Sequence, residues 1–157
     1  MSEMKPIDVT VKIKSIALVD FHVENIGKQE GEKLNNKKFA FQFTLNIKVD
    51  SSKKEILLDC STKIFSDDSK TLYLAEIITK GIFDLLNFDE IVTEHKGVPQ
   101  PIIGMFMSIL LSTMRGMILV KSMGTIVENA ILPIININTL FPQIVSQNIQ
   151  ENNKKTE

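Results

Sequence analysis

Side chains able to carry chemistry are few in this chain of 157 residues. There is one cysteine, Cys60, and there are two histidines, His22 and His95. A nucleophilic cysteine needs an accessible, electropositive setting that lowers its pKa, and neither histidine lies near Cys60 in the sequence. Cys60 instead falls in an alternating run, which predicts a small residue on the inner face of a strand. Four acids, Asp84, Asp89, Glu90 and Glu94, crowd one stretch. Their spacing does not fit a calcium loop, and a solvated linker is the expected reading. No Gly-rich phosphate loop, nucleophile elbow or pair of histidines at ligand spacing occurs. The expectation is a protein without catalytic residues, metal or cofactor.

What remains is recognition by surfaces, and the charge pattern bears on that. The chain has 18 Lys and Arg against 19 Asp and Glu, a formal charge of -1. A near-neutral protein is drawn neither to nucleic acid nor to an anionic membrane. The charges are unevenly placed, with only Arg115, Lys121 and Glu128 between residues 97 and 150. A stretch so poor in charge must bury much of its surface, and an oligomer does so more readily than a single small domain. The run from Gly97 to Met114 is interrupted by prolines, serines and Gln100, so no membrane span is expected of it. Glu3 and Asp8 in an N-terminus without an apolar core are unlike a signal peptide. With a single cysteine that can form no intrachain disulfide, these features suggest a cytoplasmic protein.

The elements that would carry such surfaces are legible as a change of period. Residues 9–23 alternate, and the odd residues, from Val9 to Val23, are expected to face inward. Residues 25–36 are polar and read as a loop. Phe39, Phe41, Phe43, Leu45, Ile47 and Val49 give a second strand the cleanest alternation. Glu55 to Phe65 and Thr71 to Phe83 give two more. Short polar turns between them predict an antiparallel meander of four strands. From Pro99 and Pro101 the spacing becomes three and four, which predicts a long helix to about Met123. Gly104, Ser108, Ser112 and Gly116 recur on it at intervals of four, a stripe over which another helix can approach closely. Residues 130–137 form an apolar connector, and a last helix is expected to begin near Asn138 or Thr139, both acceptable N-caps. The class is α+β, with a single domain over residues 1–150 and a disordered polar tail over 151–157.

On this reading the outer face of the sheet carries Asp20, Glu24 and Glu76 beside Ile16, Leu18, Leu72, Leu74 and Ile78. A patch mixing acids and large aliphatics suits a protein partner.

The pattern resembles SecB, the protein-export chaperone family. Asp20-Phe21-His22-Val23-Glu24 is similar to the family's Asp-x-x-x-Glu. Leu74-Ala75-Glu76 followed by Gly81-Ile82-Phe83 is similar to its Leu-x-Glu and Gly-Ile-Phe. Asn136-Ile137-Asn138-Thr139-Leu140-Phe141 resembles the entry to its last helix, and Arg115-Gly116 is the nearest remnant of its Ala-Arg-Glu. The resemblance implies a sheet followed by two helices, assembled as a homotetramer, a dimer of dimers, with the Gly104/Ser108/Ser112/Gly116 stripe between subunits. It implies a holdase for unfolded preproteins that needs no nucleotide. Docking of the motor SecA would fall to Asp20, Glu24, Leu74 and Glu76. A client groove would draw on Phe83, Leu85, Leu86 and Phe88 and, along the connector, Ile131 and Ile134. Five of the seven methionines lie between residues 105 and 123, where they suit core filling or adaptable contacts. Two alternatives stand beside this: a SecB-like chaperone dedicated to one client such as an antitoxin, and an α+β module whose apolar strands close around a small ligand.

Overall fold

Residues 9–26, 38–66, 72–137 and 139 are described in the computed structural model of the chain. Among the described residues there are four strands, β1 Val11–Val23, β2 Ala40–Asp50, β3 Glu55–Phe65 and β4 Tyr73–Leu85. Two helices follow, α1 Phe88–His95 and α2 Gln100–Lys121. The fold is α+β, with one antiparallel sheet in the order β1-β4-β3-β2.

That order corrects the meander. Only β2, β3 and β4 run in sequence, while β1 lies beside β4 at the far edge. The chain after β1 must therefore reach the opposite edge before β2 begins, a Greek-key connection. The β2–β3 hairpin is the most regular part, pairing Ala40 with Phe65 through to Asp50 with Glu55 without a break. Its turn is tied by Asp50, whose carboxylate accepts hydrogen bonds from the Ser52 amide and hydroxyl and the Lys53 amide.

β1 departs from simple alternation. Its register against β4 slips between Ile13 and Ser15 and again between Leu18 and Asp20, leaving Lys14 and Val19 as extra residues. Each bulge reverses the faces. The half-buried positions are therefore Val11, then Ile16 and Leu18, then Phe21 and Val23. Ile16 and Leu18 pack against the core, contrary to the odd-inward expectation, and Val19 is exposed. Lys14 reaches across β4 to pair with Glu55 of β3. The hydrogen bond and charge of Glu55 hold the Lys14 ammonium above its ordinary pKa.

The core lies between the sheet and α2. Ile102, Phe106, Met107, Leu110, Leu111, Met114 and Ile118 form the buried face of α2. They meet Ile56, Leu58, Cys60 and Ile64 of β3 and Ala75, Ile77 and Phe83 of β4 in one cluster. Phe83 stacks on Phe106 with centroids 4.4 Å apart. The Thr62 hydroxyl donates to Met114 Sδ at 3.0 Å. Burial pushes the Cys60 thiol up to about 11, so it is held as a neutral thiol.

α1 replaces the expected linker. Phe88 and Ile91 bury one side of it, Asp89 and Glu90 occupy the first turn, where negative charge is favoured, and Lys96 ends it in a left-handed conformation. Asp89 also pairs with Lys54. α2 has the length and apolarity of a membrane span, yet its buried face is the core just described. The predicted last helix and tail fall almost wholly outside the described residues.

Candidate functional site

The face of the sheet away from α2 carries the acids. Asp20 stands opposite Ile78, and His22 opposite Glu76, in the β1–β4 ladder. The Glu24 amide donates to the Leu74 carbonyl at 2.8 Å, which continues the pairing. Asp20, Glu24 and Glu76 thus gather at one end of one face. His22 Nε2 lies 3.2 Å from the Glu24 carboxylate. Ser61 donates to Glu76, and the Tyr73 hydroxyl lies 3.5 Å from its second oxygen. Burial, then the charges of Glu76, Glu24 and Asp20, raise the pKa of the Tyr73 phenol. The acids therefore act on one phenol together. Lys63 stands opposite Glu76 on β3, and Lys80 lies 3.8 Å from Asp59 further along the face.

Leu74 does not join this exposed patch. Ile64 pairs with Ala75 and Phe65 with Tyr73, so Leu74 is the extra residue of a bulge on β4. It is 0% exposed and belongs to the core. The bulge also brings Tyr73 beside Phe65, edge to face at 5.9 Å.

The residues assigned to a client groove separate into two groups. Phe83, Leu85 and Phe88 are buried. They support the sheet and the helices and offer no surface. Leu86, Ile131 and Ile134 are 64%, 65% and 92% exposed. Burying a side chain of this size is worth roughly 1.5–3 kcal/mol, so two isoleucines left in water on one short segment are a cost to the single chain that a covering surface would remove.

The sequence explains how the connector holds them there. Pro133 lacks an N–H and disfavours a helical Leu132, so the segment cannot wind into a helix. Val127, Ala130 and Leu132 anchor it in the core. Arg115 on α2 fastens it: Nε donates to the Leu132 carbonyl and Nη2 to the Pro133 carbonyl, both at 2.9 Å. In the sequence Arg115 is one of three charges in a charge-poor stretch and the remnant of a motif, and neither reading assigns it a contact. Its signal was being the sole charge inside a long apolar helix.

The stripe on α2 faces away from the sheet. Gly104 is half-buried, and Ser108, Ser112 and Gly116 are exposed. A Cβ placed on Gly116 would meet nothing within 4 Å. Met105, Leu119, Val120 and Met123 extend this surface with exposed apolar side chains. A cleft of ≈ 590 Å³ opens between the start of α2 at Gly104 and Ser108 and the connector at Ile135 to Ile137. It lies outside the sheet and not within closed strands, as a ligand-binding module would require. Among the described residues, no three His, Cys, Asp or Glu side chains are grouped to hold a metal ion.

No protein family and no curated protein matches the sequence. Among solved structures, the chain is similar to the Mycobacterium tuberculosis SecB-like chaperone Rv1957, in complex with a ChAD peptide from the HigA1 antitoxin. The TM-score is 0.51 over 80% of this chain and 90% of that one, at 12% identity. The fold is SecB-like. The likeness rests on the shape of the chain, because so low an identity leaves few side chains in common. The SecB-like elements are the four-stranded sheet and the helices that follow it.

Proposed function

We propose that this chain is a SecB-like holdase, binding unfolded polypeptides without nucleotide and without catalysis. The observation that carries the reading is the SecB-like fold bearing solvent-exposed Leu86, Ile131 and Ile134. Unfolded chains expose apolar side chains, and several weak contacts spread along one surface hold them by multivalency. The mycobacterial structure of this fold contains a bound peptide, which supports a polypeptide as the ligand here.

The assembly is proposed as a homotetramer, a dimer of dimers in the cytoplasm, with the α2 stripe between subunits. Exposed apolar side chains beside small residues support that placement. The acid face at Asp20, Glu24 and Glu76 is proposed to dock SecA, which would pass clients to export. Leu74 takes no part, being buried.

A second reading is a chaperone dedicated to one client, such as an antitoxin. It is favoured by the peptide in the mycobacterial complex, which comes from an antitoxin. Charge reversal, Glu24→Lys with Glu76→Lys, separates the two. Export coupling requires loss of SecA binding in the variant, with binding of a reduced, unfolded chain retained. SecA binding absent in the parent leaves the dedicated chaperone, whereas SecA binding unchanged in the variant moves the docking site away from Glu24 and Glu76. Fluorescence anisotropy of the labelled unfolded chain, with and without ATP, tests the holdase itself. No change in anisotropy on adding the protein would remove both readings.

A further inference from the structure

We infer that Arg115 is a positioning residue: its guanidinium holds the connector so that Ile131 and Ile134 face outward, where they receive an extended, uncharged stretch of client polypeptide. The inference rests on the holdase reading and names the residue that sets its binding surface.

Three observations meet at this point. First, the connector has no regular structure to fix it, since residues 130–136 are neither helix nor strand. With neither helix nor strand there, the carbonyls of Leu132 and Pro133 lack the partners that regular structure would supply. Second, Arg115 supplies both, through two donors on one rigid planar group. A guanidinium presents its N–H groups in a fixed fork, whereas an ammonium is a single point with rotating donors. The contact spans 17 and 18 residues of sequence, so it sets where the connector runs over α2. Third, burial along the connector is sharply sorted. Leu132 is buried, while its neighbours Ile131 and Ile134 are exposed. Rotation of this segment would exchange them, and the fork prevents that rotation.

The nature of the occupant follows from the same surface. From Asn129 to Ile137 the chain carries no charge, and Arg115 Nε and Nη2 are engaged by backbone carbonyls. A charged segment would lose its hydration against these apolar side chains, and the cation beside them, Arg115, already has Nε and Nη2 held by the connector. An extended uncharged segment loses little, because Ser108 and Gln100 in the adjoining cleft can bond to its backbone.

The test compares the full-length parent, Arg115→Lys and the double variant Ile131→Ser with Ile134→Ser. The probe is a fluorescent peptide of Leu, Ser and Asn only, with a second peptide carrying Asp at the Leu positions. Methyl NMR follows Leu132 and Ile134, with Ile77 of the sheet as reference. Arg115→Lys keeps the charge and loses the fork, so the Leu132 and Ile134 signals move while Ile77 holds. Affinity for the uncharged peptide falls about tenfold in both variants, and the Asp peptide binds none of the three. The inference is overturned if Arg115→Lys binds as the parent does, or if its binding falls while Leu132 and Ile134 signals stay in place. Parent protein that binds the reduced, unfolded chain but not the uncharged peptide overturns the client half of the inference and leaves the holdase reading standing, while a parent that binds neither sinks both. The methyl shifts in Arg115→Lys would still report the clamp by itself.

Discussion

Gly81 of β4 and Leu110 of α2 meet so closely that a Cβ on Gly81 would lie 3.3 Å from Leu110 Cδ1 and 2.6 Å from the Phe83 ring. The missing side chain is what lets the helix settle on the sheet. The Phe83 ring is wholly buried and stacked on Phe106, so it cannot swing aside. Gly81→Ala should destabilise by about 1–3 kcal/mol through overpacking. Urea unfolding checks this: the midpoint falls with the slope unchanged. A midpoint equal to the parent's would mean the ring relaxes freely.

Phe106→Ala removes the other half of that contact. Truncating a buried Phe costs about 3–5 kcal/mol, and a domain of this kind holds about 5–15 kcal/mol in all. The variant should therefore be marginally folded at ambient temperature. Near-UV circular dichroism and thermal unfolding would register the loss. Phe106→Leu should recover much of it.

Cys60 gives the fold an alkaline limit. Its thiol ionises at about 11 in the folded chain against an ordinary value of 9.0, because burial disfavours the thiolate. The stabilising effect is complete below pH 9. It is lost as pH rises from there through 11, since the unfolded chain sheds its proton first. The span corresponds to on the order of 2–3 kcal/mol. Cys60→Ala should flatten that part of the stability curve, and a thiol reagent at neutral pH should label the parent only after unfolding. Rapid labelling of the folded protein would contradict the assignment.

The stripe on α2 offers a separate test of assembly. A side chain at Gly116 meets nothing within 4 Å in the single chain, so Gly116→Leu should fold normally. In the proposed tetramer it would hold two surfaces apart. Native mass spectrometry should show the tetramer of the parent reduced to dimer or monomer in the variant. An unchanged tetramer would place the interface elsewhere.

Much of this was legible in the sequence, for identifiable reasons. β2 and β3 have an unbroken register, so their alternation maps directly onto faces. α2 shows helical spacing over its whole length because one side is core. β1 misled because Lys14 and Val19 are bulged, and each bulge reverses a phase that simple alternation assumes constant. Leu74 misled for the same reason on β4. α1 was hidden by its acids, although Phe88 and Ile91 have the spacing of a buried helical edge. Strand order was not legible at all, because pairing of β1 with β4 depends on contacts far apart in sequence. Of the candidate surface, the acids Asp20, Glu24 and Glu76 came out of alternation on one face because the two reversals of β1 cancel beyond Val19 and β4 keeps its phase from Ala75 on. The Arg115 clamp did not, because two carbonyls 17 and 18 residues away leave no trace in the pattern.

The most direct measurement of the central claim is suppression of aggregation. A slowly folding protein is diluted from denaturant, and light scattering is followed with increasing amounts of this chain, in the absence of nucleotide. A holdase lowers scattering in proportion to its concentration until a fixed stoichiometry is reached, and Ile131→Ser with Ile134→Ser weakens that effect. Scattering that rises at the same rate with and without the folded protein would contradict the account.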